Sequence, residues 1–306
     1  MDHVALTIVI PAYNEAETLP KLLPGLLSHC VEQGWQLLVV NDGSKDDTRT
    51  VLGRFENHPA LTVVHHKVNR GYGGAMKSGL AQAHTPYVVT IDADGQHQVS
   101  DIQCLLSEML LRDADMVIGA RVPNGQANWY RELGKWLIRR VTKVLMPLHI
   151  HDLNSGFKLY RTELVQGYMH SAPDTMAFSD IITLIFISEA RLVCETAITV
   201  QPRAGGRSTI NTMTAIKTLG AIFHIVTYVH PMRIFLPVAF LAILLGVAWG
   251  TPIILAGRGV SVGSMLSIMI GVILLFLGLV AEQLTQIRKE IVRLRFERKG
   301  NLPFEP

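Results

Sequence analysis

Two uninterrupted apolar runs near the carboxyl end constrain this chain more than any other feature: Ile234 to Gly257, then Gly259 to Ala281, parted by the single charge of Arg258. Neither run holds an ionisable side chain. At ~1.5 Å per residue, about 23 helical residues reach ~35 Å, more than the ~30 Å hydrocarbon core of a bilayer. A pair of buried core helices would carry charges somewhere along that length, so the pair reads as a membrane-spanning hairpin. Pro237 and Pro252 lie near the ends of the first span, where a kink is tolerated. Composition agrees. Of 306 residues, 49% are hydrophobic and 17% charged, which excludes a disordered chain, and a net charge of +3 is too balanced for a generic nucleic-acid binder. No nucleic-acid partner is expected.

The flanks of the hairpin predict its orientation. Arg233 precedes it, and Arg288, Lys289, Arg293, Arg295, Arg298 and Lys299 follow it, which predicts that both chain ends are cytoplasmic at the cell (inner) membrane, with Arg258 on the far side. Leu284, Ile287, Ile291 and Leu294 recur at helical spacing among those charges, the pattern of an amphipathic helix on an anionic lipid surface, or of a solvated helix packed on the protein. Met213, Ile216, Phe223 and Val226 form another apolar stripe, which fits an interfacial helix and fits a core helix as well. The apolar stretch Val4 to Ile10 is too short for a signal segment and ends at Pro11. Cys30, Cys104 and Cys194 are odd in number and widely spaced, as expected of reduced thiols in a cytosolic domain. The expected division is a catalytic domain over 1–210, an interfacial helix over 211–232, two spans over 233–281 and a basic tail over 282–306.

Before the hairpin, β-type runs alternate with helical patterns: Leu6 to Ile10, Leu37 to Asn41, Leu61 to His65, Tyr87 to Ile91 and Met116 to Gly119. That alternation predicts an α/β fold, a mostly parallel sheet with helices on both faces, whose ligands bind beyond the carboxyl ends of the strands. The polar motifs fall there. Tyr13 and Glu15 follow the first strand, where an aromatic face and a carboxylate can hold a nucleoside, while Asn14 with Glu17 has the spacing of a capping box. Asn41-Asp42-Gly43-Ser44 ends the second strand; Ser44 with Asp47 again resembles a helix start, which leaves Asp42 as the candidate for a base or ribose contact.

Asp92-Ala93-Asp94-Gly95-Gln96 ends the fourth strand, and residues two apart in an extended segment share one side. Two carboxylates so placed suit Mg²⁺ or Mn²⁺, with Gln96 as a further oxygen ligand and substrate phosphates completing the shell. Asn69-Arg70-Gly71-Tyr72-Gly73-Gly74 is not a dinucleotide fingerprint, because Met76 stands at the last glycine position and the loop follows the third strand. Lys77 and this loop remain candidates to touch a diphosphate, though a tight turn explains the glycines equally.

Taken in order, these strings resemble family 2 glycosyltransferases of the GT-A group, and within it the branch that makes polyprenyl- or dolichyl-phosphate sugars. The matching stretches are Ile8 to Glu15, Asn41 to Ser44, Asp92 to His97, Gly119-Ala120-Arg121, Asn154 to Tyr160 and Arg203 to Ser208. The C-terminal hairpin is similar to that of membrane-anchored bacterial members. The resemblance implies that Pro11, Tyr13, Glu15 and Asp42 line the nucleoside pocket and that Asp92, Asp94 and Gln96 hold the metal. It also implies that Arg121 and Arg131 receive a polyisoprenyl phosphate, that Arg203 grips the donor pyrophosphate, and that Ser155 and Ser208 contact substrate. Lys135 would add charge for the acceptor phosphate. The family often has Asp-Asp-Gly-Ser where Asn41-Asp42 stands and Ser-Lys where Ser208-Thr209 stands, which removes a lysine from the second site.

The implied reaction is an inverting transfer from a nucleoside-diphosphate sugar, UDP-glucose ahead of GDP-mannose, to a polyisoprenyl phosphate. A lipid phosphate with second pKa near ~6 is largely dianionic at neutral pH and needs little help from a general base. A processive polysaccharide synthase would carry a Q-x-x-R-W motif and more spans, and neither is in this sequence. A non-catalytic scaffold or flippase partner would have no need of Asp92, Asp94, Arg121 and Arg203. Another acceptor is the remaining alternative. The resemblance permits a homotetramer.

Overall fold

The computed structural model describes residues 4–121, 150, 152–153, 155–198 and 231–298, which fall into an α/β unit and a helical unit. In the α/β unit the strands are β1 (Leu6–Ala12), β2 (Gln36–Asn41), β3 (Leu61–His65), β4 (Tyr87–Thr90), β5 (Met116–Arg121), β6 (Lys158–Arg161) and β7 (Val193–Ile198). They form one sheet in the order β3-β2-β1-β4-β6-β5-β7. Strands β1 to β4 are mutually parallel, while β6 runs antiparallel between β4 and β5. The five expected strands are all present. Strands β6 and β7 are additional, outside the five apolar runs.

Helices α1 (Leu19–Gln33), α2 (Thr48–Gly53), α3 (Tyr72–Ala81), α4 (Val99–Arg112), α5 (Thr162–Tyr168) and α6 (Phe178–Ser188) cover the sheet. Strands β1, β2, β4 and β6 are buried along almost their whole length, whereas β3 and β7 are only partly covered, and Leu6, Ile8 and Ile10 of β1 pack with Leu19, Leu23 and Leu27 of α1 in the core. Every residue of β1 is buried, as a central parallel strand covered on both faces requires.

The expected capping boxes are not how the first two helices begin. Helix α1 starts at Leu19, with Pro20 in its first turn, and Asn14 instead adopts φ +56°, its Oδ1 accepting from the Lys45 N–H at 2.9 Å. At α2 the N-cap position, Asp47, makes no side-chain cap; Asp46 Oδ1 accepts from the Thr48 N–H at 3.1 Å, while Ser44 Oγ accepts from the Asn14 N–H. Asx residues compete for backbone donors wherever the chain turns, so spacing alone does not decide which carboxylate caps.

The helical unit is a hairpin of α7 (Met232–Leu255) and α8 (Val262–Arg298), both long and apolar enough to cross a membrane. The turn carries Gly257 and Gly259 at φ +68° and +81° around Arg258. Small residues line the seam: a Cβ on Gly246 would lie 2.8 Å from the Ser264 carbonyl oxygen, and one on Gly271 2.7 Å from that of Ala239. Ser267 Oγ donates across the seam to the Ala242 carbonyl at 2.8 Å. Close backbone approach of this kind is how helices associate where no hydrophobic effect drives them. Phe240, Leu245, Trp249 and Phe276 point outward and exposed. Helix α8 runs unbroken through the boundary expected at residue 281, so span and basic tail are one helix as far as Arg298. The expected interfacial helix over 211–232 lies outside the described residues except for its last two.

Candidate active site

Because β1, β2, β3 and β4 are parallel, and β5 is antiparallel to β6 as β4 is, the carboxyl ends of these five strands share one edge of the sheet. The segments after Ala12, Asn41, His65, Thr90 and Arg121 all leave from it. The start of β6 lies there too.

The first part of the edge is a set of polar loops tied to one another. Pro11 is buried inside β1, and Tyr13 is 41% exposed just beyond it. Glu15 Oε2 accepts from Thr18 Oγ1 at 2.8 Å, and its N–H donates to Thr48 Oγ1 at 2.9 Å. Asp42 is buried; its Oδ1 lies 2.7 Å from His66 Nδ1 and accepts from the Arg70 N–H at 2.8 Å. His66 Nε2 in turn lies 2.8 Å from Ser78 Oγ. Asp42 Oδ2 takes no bond among the described residues. Gly43, at φ +64°, lets residues 68 and 69 pass over it, since a Cβ there would lie 2.6 Å from the Val68 carbonyl carbon. No side chain fits that crossing.

The second part is the acidic turn. Strand β4 ends at Thr90, and Ala93 and Asp94 form a turn closed by Gly95 at φ +70°, so the turn, not an extended strand, brings Asp92 and Asp94 together. Burial first, and the Asp94 carboxylate second, push the Asp92 carboxyl above the usual carboxylate range. Tyr72 Oη donates to Asp92 Oδ1 at 3.1 Å, and the Gln96 N–H donates to Asp94 Oδ1 at 3.1 Å. Two carboxylates crowded so that the proton affinity of Asp92 rises are what a divalent cation would relieve. Among the described residues no three His, Cys, Asp or Glu side chains group to cage a metal alone. The donor set therefore fits Mg²⁺ or Mn²⁺ sharing its shell with water and a diphosphate.

Beneath the turn, His97 stacks on Phe157 at 4.6 Å between ring centroids, and its buried Nδ1 has no hydrogen-bond partner. A Cβ on Gly156 would stand 2.5 Å from Asp92 Oδ2. Gly156→Ala should push that carboxylate aside and weaken Mn²⁺ binding by about tenfold, the effect typical of disturbing a ligand's support. A Mn²⁺ titration followed by electron paramagnetic resonance checks this, and unchanged affinity would show that Asp92 does not bear on the metal.

The third part is Arg121 at the end of β5. Its Nε donates to Asp152 Oδ2 at 2.8 Å and its Nη2 to Oδ1 at 2.9 Å, a bidentate clamp on a half-exposed guanidinium. That clamp holds the Arg121 pKa above its ordinary value; burial raises the Asp152 carboxyl, and the hydrogen bonds and charge of Arg121 overcome this and hold it low. Of the five guanidinium donors two go to Asp152, which leaves three that this clamp does not use. Arg121 also interacts with the charges of Asp92 and Asp94, so cation and carboxylates belong to one electrostatic site.

Two expected contacts have other partners. Lys77, expected near a diphosphate, donates to Asp174 Oδ1 at 2.6 Å. The glycine loop before it takes the Pro173–Asp174 backbone: the Gly73 N–H donates to the Asp174 carbonyl at 3.0 Å, and a Cβ on Gly73 would lie 2.3 Å from the Pro173 carbonyl oxygen. The glycines thus serve close backbone packing. Ser155 is buried, its Oγ donating to the Gly119 carbonyl at 2.8 Å, where it braces the loop before β6. Arg131, Lys135, Arg203 and Ser208 lie outside the described residues. Tyr72, His66, Asp152 and Lys158 were not singled out as site residues by sequence, because each acquires its role only from a partner distant in the chain.

Residues 7–169 match the model of glycosyl transferase family 2, and residues 230–287 match that of the GtrB C-terminal hairpin. The chain is 30% identical over 317 residues to an undecaprenyl-phosphate 4-deoxy-4-formamido-L-arabinose transferase of Pseudomonas aeruginosa, covering 95% of this chain and 88% of the relative. It is 34% identical over 175 residues to dolichyl-phosphate beta-glucosyltransferase ALG5A of Trichomonas vaginalis, covering 52% and 54%. Among solved structures, glucosyl-3-phosphoglycerate synthase of Mycobacterium tuberculosis, crystallised with Mn²⁺, UDP-glucose and phosphoglyceric acid, superposes with a TM-score of 0.56 at 18% identity, covering 73% of this chain and 80% of that one. At that identity the likeness speaks for the GT-A fold alone.

Proposed function

Because the chain belongs to glycosyl transferase family 2, we propose that this glycosyltransferase moves a sugar from a nucleoside-diphosphate sugar to a polyisoprenyl phosphate, with inversion, at the cytoplasmic face of a membrane. The observation that carries the reading is the pairing, on one edge of the sheet, of two crowded carboxylates with an arginine that has three donors its clamp on Asp152 does not use. The named relatives differ in their sugars and share a lipid phosphate acceptor.

In this reading Tyr13, Glu15 and the Asp42 Oδ2 hold the nucleoside, and Asp92 and Asp94 with Gln96 hold a divalent cation. When bound, that cation offsets the charge of the leaving diphosphate. Arg121 binds the acceptor phosphate through the donors that Asp152 leaves open, and it stays charged throughout turnover. The acceptor oxygen is already anionic and attacks the anomeric carbon opposite the diphosphate, so positioning supplies much of the rate. Arg131 and Arg203 complete the phosphate contacts by family resemblance. The hairpin of 233–281 tethers the catalytic domain of 1–210 to the membrane that holds the lipid phosphate, with Arg258 on the side away from the two chain ends.

UDP-glucose is the first-choice donor and GDP-mannose the second. The test is turnover of the purified protein with undecaprenyl or dolichyl phosphate and Mn²⁺ against a panel of UDP-glucose, GDP-mannose and nucleotide-linked 4-deoxy-4-formamido-L-arabinose. Glucose transfer from the UDP donor at a rate well above the others is expected. Preferential use of either competitor would replace the donor and keep the reaction.

A further inference from the structure

Lys158 stands at the start of β6 with no solvent exposure, in a motif that the reaction above leaves without a role. Its Nζ donates to four oxygens: the Leu153 carbonyl at 2.8 Å, the Ser179 carbonyl at 2.6 Å, Ser179 Oγ at 2.7 Å and Thr183 Oγ1 at 2.8 Å. Both hydroxyl hydrogens are committed elsewhere. Ser179 Oγ donates to the Ser155 carbonyl at 2.6 Å, and Thr183 Oγ1 to the Ser179 carbonyl at 3.0 Å. Lone pairs therefore face Nζ from every side, an arrangement that suits an ammonium with three hydrogens better than an amine with two. Burial draws the lysine pKa down to about 7, against the charges of Asp180, Asp152 and Asp92, which hold it up. Asp180, at the start of α6, is partly buried, its Oδ1 is enclosed without a hydrogen-bond partner among the described residues, and the charge of Lys158 acts on it.

What this cation holds is residues 152–153 and 155–156. At one end Asp152 clamps Arg121. In the middle the Leu153 carbonyl is tied to Nζ, and the Ser155 carbonyl is tied to Ser179, which Nζ also grips. At the other end Gly156 lies against the Asp92 carboxylate, its carbonyl accepting from Thr90 Oγ1 at 2.7 Å. One short segment thus touches both charged parts of the site.

The geometry points to Lys158 as a positioning residue: by fixing residues 152–153 and 155–156 it sets the Asp152–Arg121 clamp for the acceptor phosphate and the backing of Asp92 on the other flank. This inference rests on the reading of Arg121 as the acceptor-phosphate ligand. A lysine that only filled the core would, on replacement, lower the fraction of folded enzyme and leave the Michaelis constants of the folded fraction alone. A positioning lysine changes KM for the lipid phosphate in enzyme that still folds and still binds nucleotide.

The experiment uses the full chain in detergent, with Lys158→Met, Lys158→Arg, Thr183→Val and Arg121→Lys compared for UDP binding by calorimetry, melting temperature, and kcat and KM with polyprenyl phosphate. Thr183→Val removes one of the four oxygens at nearly constant shape. It should bind UDP within about twofold of wild type while KM for the lipid phosphate rises about fivefold, the size expected for one lost hydrogen bond. Lys158→Met should raise it by more, and Lys158→Arg, which keeps charge and donors, should recover part of the loss. If Lys158→Met does not fold, Thr183→Val carries the test. A changed acceptor KM in Arg121→Lys beside a wild-type KM in folded Thr183→Val and Lys158 variants would overturn this inference alone. An unchanged acceptor KM in Arg121→Lys would overturn the reading of Arg121 and this inference with it.

Discussion

Asp94→Asn should cost on the order of 10²–10³ in kcat while the folded protein keeps its melting temperature, because it removes a charge and little volume from a site built around charge. The effect follows from the crowding of Asp92 and Asp94. If the two carboxylates hold the cation as proposed, losing one would halve their anionic contribution and leave the charge of the departing diphosphate less well offset. Asp92→Asn should do the same and should also lose the Tyr72 hydrogen bond in its present form, since Tyr72 Oη donates to that carboxylate. Single-turnover rates with saturating donor, beside Mn²⁺ titrations of both variants, check the claim. Wild-type turnover in either variant would remove the acidic turn from the chemistry.

Arg121→Lys should lower kcat/KM for the lipid phosphate by about tenfold to a hundredfold, although the charge is retained. The reason is shape. Nε and Nη2 together satisfy both oxygens of Asp152, and the same planar group has three donors that this clamp does not use. A lysine has one nitrogen, which must choose between the Asp152 carboxylate and the ligand. Asp152→Asn tests the same geometry from the other side: it should free Arg121 from its clamp, raise KM for the acceptor by a similar or smaller factor, and leave donor KM nearly unchanged. Steady-state kinetics with each substrate varied in turn would separate these effects. A loss confined to the donor would reassign Arg121 to the nucleotide sugar.

Much of this site was legible because of where the motifs sit in the chain. Strands β1 to β5 announce themselves by apolar β-branched runs such as Ile8-Val9-Ile10 and Val88-Val89, and a parallel sheet then sends Asp42 and Asp92 to its carboxyl edge. The hairpin was legible from composition alone. Strand β6 was not, because four residues beginning with a lysine and ending with an arginine carry no strand signal, and the strand exists only by pairing with β4 and β5. Strand β7, Val193 to Ile198, hides in a mixture of Cys, Glu and Thr. The same limit governs the site. Asp92 and Asp94 are near neighbours in sequence and could be read together, whereas Arg121 and Asp152, or Lys77 and Asp174, meet only through the fold. The glycines of residues 71–74 show the converse: a loop that could have touched a diphosphate spends the N–H groups of Gly73 and Gly74 on the Asp174 carbonyl and that of Gly71 on Asn69 Oδ1.

The most direct measurement takes the purified protein with Mn²⁺, UDP-glucose and undecaprenyl phosphate and analyses both products, the lipid fraction by mass spectrometry and the released nucleotide by chromatography. The account predicts a lipid carrying one phosphate and one hexose, with UDP released in equal amount, and neither product from Asp94→Asn. A lipid carrying two phosphates with UMP released, or a glycosylated product that contains no lipid phosphate, would contradict attack by the acceptor phosphate on the anomeric carbon.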